Sequence, residues 1–340
     1  MLELVNRTPF PAAIVPGLTK EGCDTVTVVV KGTFSLLGRA DEPRPHDEQE
    51  DILYSDAFYG DPGVSSVRRE SDAYPAKKRT DVVLLGHAYA PRPGPSVDVR
   101  LTIGRLERVV RVTGDRAWHR SVGGWKASDP VHFERMPLRW ERAFGGADTS
   151  DPDPRKHARE ARNPLGTGFV AADRPERIDG LRLPNLEDPA ALVTSPLDRP
   201  APAGLGYLGR DFHPRAALAG TYDEAWRRDV CPLLPADFDD RYFHAAPAGQ
   251  IPAKPLRGGE PVLVENASAS GDLRFSVPSR RVDVQLTIRD AVTEHTATLD
   301  SLRIEPDERR AVLTWKVTAP CPRSFLHVHR VRVREKKEPA

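Results

Sequence analysis

Two groups of side chains in the sequence have the types and spacing that chemistry requires, and the first is a pair of histidines. His327 and His329 flank Val328 in an alternating segment, so a strand would put both imidazoles on one face. Two imidazoles at this spacing hold a metal when a third ligand comes from elsewhere, but the sequence marks none. Ordinary surface histidines are therefore the favoured interpretation, and a metal site is the alternative.

The second group is a run of carboxylates, in which Asp237, Asp239 and Asp240 precede His244. Such a run could supply an acid and a base, or oxygen ligands for a cation. It lacks the glycine and the distal glutamate of a calcium loop. The favoured interpretation is structural, with the carboxylates capping turns and pairing with arginines. A metal-dependent hydrolase built on the carboxylates near Asp237 is kept as an alternative function.

The rest of the sequence gives no sign of catalysis, and we predict a protein that is not an enzyme and uses no cofactor. No serine or cysteine has a local base, and no glycine-rich segment has the pattern of a phosphate-binding loop. The cysteines are far apart and lack metal-knuckle spacing, so we predict reduced thiols at Cys23, Cys231 and Cys321.

Strands dominate the first and last thirds of the chain, and the last of them would carry the two histidines. In 97–103 the apolar residues fall on every second position, which puts them on one face of a strand. Residues 282–288 match this segment at six of seven positions, which indicates either two related sandwich halves or the small alphabet of amphipathic strands. Residues 298–315 predict a hairpin that turns at Pro306. Further strands are predicted at 25–36, 81–89, 108–112, 261–266, 273–277, 294–304, 310–317 and 325–333.

The middle of the chain, residues 114–259, is rich in proline, glycine, aromatic and charged residues and has no lasting periodicity. The whole chain has 33 prolines, roughly twice the usual share of about 5%, and proline breaks both helices and central strands. A structureless segment of this length is rare in a compact domain, so we predict an ordered coil layer packed on the sheets. A short helix is predicted near 222–228, with Thr221 as its N-cap.

The predicted fold is mainly β, with sandwich-like antiparallel sheets, a long proline-rich irregular middle segment and a few short helices. An N-terminal β-rich region is predicted at 1–113, the irregular segment at 114–259, a C-terminal β-rich region at 260–335 and a tail at 336–340. Whether these regions form one domain or two stays open at this stage.

Charge and hydropathy limit the classes of partner. The chain has 50 basic and 49 acidic side chains, which gives no electrostatic argument for nucleic acid. No segment approaches the ~18 apolar residues that cross a bilayer, and residues 1–10 lack the basic start and apolar stretch of a secretory signal. We therefore predict a cytoplasmic protein that binds neither nucleic acid nor membrane.

A series of motifs runs through nearly the whole chain. In order, the motifs are NRTPFPA at 6–12, VVKGTF at 29–34, KRTDVVLLGHAYAP at 78–91, GDRAW at 114–118, MPLRWERAFGG at 136–146, NPLGTGF at 163–169, LPNLEDP at 183–189, GTYDEAW at 220–226 and LPADFDDRYF at 234–243. On these motifs, the chain resembles the bacterial family called domain of unknown function 2169.

The resemblance implies a function that composition does not show. Such proteins look like accessory factors of type VI secretion clusters, similar to adaptors that load an effector, often one with a PAAR-like tip domain, onto the VgrG spike. The family brings no catalytic residues to transfer. The resemblance thus favours a non-catalytic adaptor or chaperone, while a structural component of the secretion apparatus is a further alternative.

An adaptor needs a broad surface with aromatic and arginine anchors. Two neighbourhoods supply these residue types, one around the motif at 136–146 and one around the predicted helix. The competing interpretation, which we favour residue by residue, is that these aromatics form the core of the coil layer. The candidate partner-binding residues are Arg139, Trp140, Arg142, Phe144, Arg215, Tyr222 and Trp226.

Overall fold

The structure is a computed structural model that describes residues 2–36, 43–322 and 324–337. Strands and ordered coil make up most of these residues, which confirms the predicted mainly β fold with antiparallel sheets. Among the described residues one α-helix occurs, α1 (Glu224–Asp229), and it is too short to cross a membrane, as are the 3₁₀ helices.

The strands of the described residues are, in chain order, β1 (Glu3–Arg7), β2 (Ala12–Leu18), β3 (Asp24–Ser35), β4 (Arg44–Pro45), β5 (Ala57–Phe58), β6 (Val67–Arg69), β7 (Asp81–Leu84), β8 (His87–Gly94), β9 (Ser96–Ile103), β10 (Leu106–Thr113), β11 (Trp118–Ser121), β12 (Gly124–Ala127), β13 (Phe133–Pro137), β14 (Phe144–Gly145), β15 (Ala147–Asp148), β16 (Ala158–Arg159), β17 (Thr167–Gly168), β18 (Leu186–Glu187), β19 (Pro261–Glu265), β20 (Leu273–Ser276), β21 (Arg280–Ile288), β22 (Ala291–Thr296), β23 (Thr298–Glu305), β24 (Arg310–Pro320) and β25 (Val328–Lys337). The 3₁₀ helices lie at Trp140–Arg142, Pro154–Lys156, Pro175–Arg177, Ala216–Leu218, Asp240–Phe243, Ala248–Gln250, Pro306–Glu308 and Phe325–His327.

The largest sheet has the strand order β2-β3-β24-β23-β7, and β4 lies beside β3. Because successive side chains of a strand point to opposite faces, Val28 and Val30 of β3 enter the apolar core while Lys31 points the other way. Leu313 and Trp315 of β24 lie on the same inner face. Both faces are buried, so this sheet separates an apolar layer from a polar one.

Two further sheets complete the core, one with the order β18-β10-β9-β19-β20 and one with the order β1-β25-β21-β22. Leu101 of β9, Leu286 of β21 and Leu313 of β24 belong to one continuous apolar cluster. Strands from the first and last thirds of the chain are neighbours in all three sheets, in the pairs β3–β24, β9–β19 and β1–β25. The two β-rich regions predicted from the sequence therefore interleave.

Aromatic packing explains one glycine of the sequence motifs. The rings of Phe10 and Trp315 stack with centroids 5.9 Å apart, and Phe34 lies 5.5 Å from Phe10. A Cβ atom at Gly32 would lie 2.9 Å from the ring of Phe34 and 3.1 Å from the ring of Phe10. Only glycine fits beneath these rings without a shift of the packing.

Several predicted element boundaries need correction. The strand predicted at 81–89 is divided by Gly86, whose φ of +132° favours glycine, and the strand predicted at 294–304 is two strands, β22 and β23. The hairpin of β23 and β24 is confirmed, and a 3₁₀ turn at Pro306–Glu308 joins its strands. The strand predicted at 325–333 runs instead from Val328 to Lys337, two residues into the predicted tail, and residues 338–340 lie outside the described residues.

The predicted N-cap of the helix was wrong. The carboxylate of Asp223 accepts a hydrogen bond from the backbone N–H of Trp226 at 2.8 Å and caps α1. Thr221 lies two residues earlier, and its hydroxyl donates instead to Asp237. Both residues are good N-caps, so the position of the helix start decides between them.

The two similar segments of the sequence occupy comparable places. β9 and β21 are both inner strands that pair antiparallel with the strand on each side. Two-residue turns at 104–105 and 289–290 lead from them into β10 and β22. An origin by duplication stays a prediction.

Candidate functional site

Charged side chains cover the outer face of the largest sheet and are themselves buried. Lys31 on β3, Lys316 on β24 and Arg303 on β23 are at most 4% exposed. Coil from the segments 46–81 and 205–256 lies over them, and carboxylates of the first segment supply opposite charges. The sequence prediction missed this layer. Its signal was present, because Lys31 and Arg303 interrupt runs of apolar strand residues.

Lys77 is the centre of this charged layer. Its Nζ lies 2.8 Å from a carboxylate oxygen of Asp81, 3.4 Å from Asp300 and 3.6 Å from Glu70. Burial alone favours a neutral amine, but the carboxylates of Asp300, Asp81 and Glu70 raise the pKa of Lys77 well above its usual value. Lys77 therefore stays a cation and is unsuited to act as a general base.

The carboxylates of the layer are held in their charged form by the same contacts. Burial favours the neutral acid, yet Lys77 and His244 lower the pKa of Asp81, which accepts from His244 Nδ1 at 2.6 Å. Likewise, Arg303 and Lys31 outweigh burial and lower the pKa of Glu50 to about 2. The charges of the layer neutralise one another in place.

A small polar cavity lies inside this layer. It is lined by Glu70, Asp72, Lys77, Asp300 and Arg303, among others, and its volume is about 10 Å³. That volume admits one water molecule and no substrate. The layer thus has the residue types of an active site without the space for one, and its pairs serve the fold.

Three of the predicted partner-binding residues lie inside the protein. Trp140, Phe144 and Arg215 are each at most 4% exposed. Trp140 packs edge-on against Phe212 at 5.8 Å, and its indole N–H donates to the carbonyl of Gly206 at 3.3 Å. A partner cannot contact these side chains without rearrangement, which agrees with the interpretation of them as core.

Arg215 connects the charged layer to the coil above it. Its guanidinium donates to the carbonyls of Tyr242 and Leu208 at 2.9 and 2.8 Å, and it pairs with the carboxylate of Glu70. Glu70 in turn lies beside Lys77. Arg215 therefore holds two coil segments on the sheet.

Arg139 and Arg142, two more of the predicted residues, are half-buried. The guanidinium of Arg139 lies 3.9 Å from the ring centre of Tyr59, a cation–π contact within the chain. Arg142 donates to the carboxylate of Asp115 at 2.9 Å and to the side-chain oxygen of Asn185 at 3.0 Å. Both arginines already have partners within the protein.

Tyr222 and Trp226 are the last two. They belong to the surface lobe around α1, which we define as residues 220–233. Tyr222 is 53% exposed, and its ring meets that of Trp226 edge-on at 4.7 Å. The indole N–H of Trp226 donates to the carbonyl of Leu233 at 2.9 Å, which fixes the ring. Of the seven predicted residues, Tyr222 has the exposure that a partner contact requires, whereas Trp226 is half-buried like Arg139 and Arg142.

The carboxylates near Asp237 serve turns. Asp237 accepts from the backbone N–H and the hydroxyl of Thr221, and these bonds lower its pKa. Asp239 accepts from both the side chain and the backbone of Arg241, which lowers the pKa of Asp239 to about 2. In the described parts of the chain, no three His, Cys, Asp or Glu side chains form a group that could hold a metal ion.

The two histidines do not share a strand, which corrects the sequence prediction. His327 ends the 3₁₀ helix Phe325–His327, and its Nε2 lies 3.0 Å from a guanidinium nitrogen of Arg289. His329 lies in β25 where the register with β21 shifts, and it is exposed. The alternation of the sequence begins before the strand does, so the two imidazoles have different surroundings.

The motifs around Trp140 meet in one place. Asn163 donates through its side-chain amide to the carbonyls of Trp140 and Phe144, at 2.8 and 3.0 Å. β14 pairs with β17, and the backbone N–H of Asn185 donates to the carbonyl of Arg142. Motifs that are far apart in sequence therefore form one framework of coil.

A family model covers the whole of this framework. Residues 21–316 match the family described as an uncharacterized protein conserved in bacteria, DUF2169. The chain belongs to this family. No curated protein and no solved structure matches the chain.

The DUF2169 match includes the largest sheet except β2 and the end of β24, and it includes the whole coil layer. It includes β21 and β22 but excludes β1 and β25, which belong to the same four-stranded sheet. In this DUF2169 protein, that sheet therefore combines strands from inside and outside the matched range.

Proposed function

We propose that this DUF2169 protein is a non-catalytic adaptor or chaperone of a type VI secretion system. It binds an effector, often one with a PAAR-like tip domain, and aids its loading onto the VgrG spike. It acts in the cytoplasm of the producing cell. The resemblance of the motifs suggests this function, and membership of the family is compatible with it.

The observation that carries the proposal is the contrast between buried charge and exposed aromatic surface. Side chains suited to acid–base chemistry, such as Lys77 and Asp300, are held in ion pairs around a cavity for one water. Tyr222, in contrast, presents its ring to solvent on a lobe whose backbone is fixed by a cap and by the bond from Trp226 to Leu233. Rigid exposed aromatics are typical anchors of protein interfaces.

The test is a co-purification. The tagged protein is expressed with the products of its neighbouring genes, and the eluted material is analysed by size-exclusion chromatography and mass spectrometry. We expect a stoichiometric complex with one effector or tip protein. A protein that elutes alone with every neighbouring product would count against the adaptor.

A substitution tests whether the exposed ring of Tyr222 contributes to the complex. Tyr222→Ala should weaken the complex by about 2 kcal/mol or more, as for an interface anchor. Tyr54→Ala is the matched control, because Tyr54 is 65% exposed and is not among the predicted anchors. Equal effects of the two variants would remove Tyr222 from the interface.

Two other outcomes would replace the proposal. Stoichiometric metal together with a hydrolase activity that Asp237→Ala abolishes without unfolding would establish the hydrolase. Recovery of the protein with the secreted apparatus would establish a structural component, since an adaptor that releases its cargo stays in the producing cell.

A further inference from the structure

β22 is an edge strand whose outer side is open. It is the last strand of the order β1-β25-β21-β22 and pairs with β21 alone, over six residues without a register shift. Its side chains are exposed, apart from the half-buried His295, and Val292 is 58% exposed. It contains neither proline nor lysine, the residues that proteins place on edges to prevent pairing with other chains.

The phase of the ladder shows which backbone groups are open. Ala297 donates its N–H to the carbonyl of Val282 at 2.8 Å, so this pair is hydrogen-bonded. In an antiparallel ladder every second pair is bonded, and the residues between direct their N–H and C=O away from the partner strand. On β22 these residues are Val292, Glu294 and Thr296. Their backbone groups face the edge and have no strand partner among the described residues.

Three of the four edges of the other two large sheets are protected. β2 carries Pro16 within the strand, and β18 has only two residues. β7 is covered by coil, since Leu84 donates to the carbonyl of Leu205 and the amide of Gln250 donates to the carbonyl of Val82. β22 lacks each of these devices.

An apolar groove runs along the inner side of this edge. Ile288, Ala291, Thr293 and His295 line it on the β21–β22 side, and Ala319 and Pro320 line it on the side of β24. Its volume is about 560 Å³. Side chains at alternate positions of a strand added to β22 would point into this groove.

The outer face of the same sheet is basic. Its strands present six basic side chains and three acidic ones. The basic residues are Arg7, Arg281, Arg330, Arg332, Arg334 and Lys336, and the acidic residues are Glu3, Asp283 and Glu294.

Two of these arginines extend to the edge itself. A guanidinium nitrogen of Arg281 lies 3.1 Å from the hydroxyl of Thr296, and one of Arg334 lies 3.1 Å from the carboxylate of Glu294. A strand added to β22 would lie about 4.8 Å further out, which keeps its outward side chains within the range of these charges.

We propose that β22 binds an extended segment of the partner protein in which acidic residues alternate with apolar ones. The segment extends the sheet, directs its apolar side chains into the groove and places its acidic side chains beside Arg281 and Arg334. This inference rests on the adaptor function proposed above and specifies the chemistry of the segment that the adaptor binds.

The first experiment uses synthetic peptides and the whole protein. An eight-residue peptide in which glutamate alternates with valine is titrated into the protein, and binding is followed by isothermal titration calorimetry. The controls are a peptide with lysine in place of glutamate and one of the same composition without the alternation. We expect the alternating acidic peptide to bind at least about tenfold more tightly than either control. Equal affinities, or no binding at millimolar peptide, would overturn the proposal.

A pair of variants at one position tests the edge. Glu294→Pro removes an N–H that faces the edge and leaves the ladder to β21 intact, while Glu294→Ala removes the same side chain and keeps that N–H. We expect Glu294→Pro to lower the affinity for the acidic peptide about tenfold relative to Glu294→Ala. The same affinity in both variants would rule out pairing at this edge.

Hydrogen exchange gives a test that needs no variant. In the free protein the amides of Val292, Glu294 and Thr296 should exchange fast, and the acidic peptide should protect them at least about tenfold. Protection confined to other regions would contradict the proposal even if the peptide binds.

The complex with the effector separates this inference from the proposed function. If no effector co-purifies, the adaptor function fails first. If an effector co-purifies equally well with Glu294→Pro and Glu294→Ala, the adaptor function stands and the edge proposal fails. A dimer that Glu294→Pro dissociates, seen by sedimentation, would assign the edge to a second copy of this chain instead.

Discussion

Both faces of the largest sheet are buried, but one consists of apolar side chains and the other of charged side chains. The inner face packs Val30, Leu302 and Trp315 into an apolar cluster, and the outer face holds Lys31 and Arg303 in ion pairs. Apolar packing loses stability in proportion to the volume removed, whereas a buried ion network fails when one charge loses its partner. The comparison shows that burial alone does not say how a residue stabilises this fold.

The largest expected effect is on the outer face. Lys77→Ala leaves Asp81 buried without its nearest cation and leaves Asp300 with Lys316 alone, so the free energy of unfolding should fall by about 3–5 kcal/mol. Urea denaturation measures this change. Lys336→Ala is the control, because the Lys336 side chain is 58% exposed and its partner Asp283 keeps an ion pair with Arg281, so the loss should be about 0–1 kcal/mol. Similar losses in both variants would contradict a buried network.

A comparable loss should follow on the inner face for a different reason. Leu302→Ala removes a fully buried side chain, and the loss of burial and the resulting cavity should lower the free energy of unfolding by about 2–5 kcal/mol. Leu302→Met keeps the volume and should cost less than about 1.5 kcal/mol. If the two variants were equally unstable, the inner face would not depend on packing volume.

The contributions of the two faces to stability should depend differently on pH. Glu50 has a pKa of about 2 in the folded protein against an ordinary 4.5, so the unfolded chain binds protons first as the pH falls. The stability that Glu50 contributes is therefore complete above about pH 4.5 and is lost towards pH 2.

Urea midpoints measured from pH 7 to pH 2 check this expectation. Stability should decline across the window from pH 4.5 to pH 2, and Glu50→Gln should reduce that decline. The loss caused by Leu302→Ala should be the same at every pH, since no titrating group is involved. An unchanged pH dependence in Glu50→Gln would mean that other carboxylates cause the decline.

The smallest expected effect is at the surface lobe. Asp223→Ala removes the N-cap of α1 and should cost about 0.5–2 kcal/mol of local stability. Hydrogen exchange of the α1 amides measures it, and Asp223→Asn should retain most of the cap. A loss spread over all three sheets would show that the lobe and the core unfold together.

The sequence predicted the parts of the fold that depend on local pattern. The alternation in 97–103 and 282–288 identifies β9 and β21, and the hairpin around Pro306 has the predicted turn. The pairing of strands across the chain could not be predicted, because β3 finds β24 through contacts that leave no local pattern. The same reason hid the charged layer, whose members come from distant segments.

The candidate site was only partly predictable. Residue type alone could not separate Trp140, which lies in the core, from Tyr222, which lies at the surface. Sequence position also misled the interpretation of His327, whose alternating neighbours suggested a strand that begins one residue later. The open edge of β22 follows from strand order, which no single segment encodes.

The position of β25 has a consequence for synthesis on the ribosome. β25 lies between β1 and β21, and its Arg330 pairs with Glu3, 327 residues earlier. During synthesis, β1 therefore has no neighbouring strand β25 to pair with until residues 328–337 have left the ribosome. A premature stop after Pro320 would spare the largest sheet and separate β1 from β21, and we expect quality-control proteases to degrade such a product before it can bind cargo.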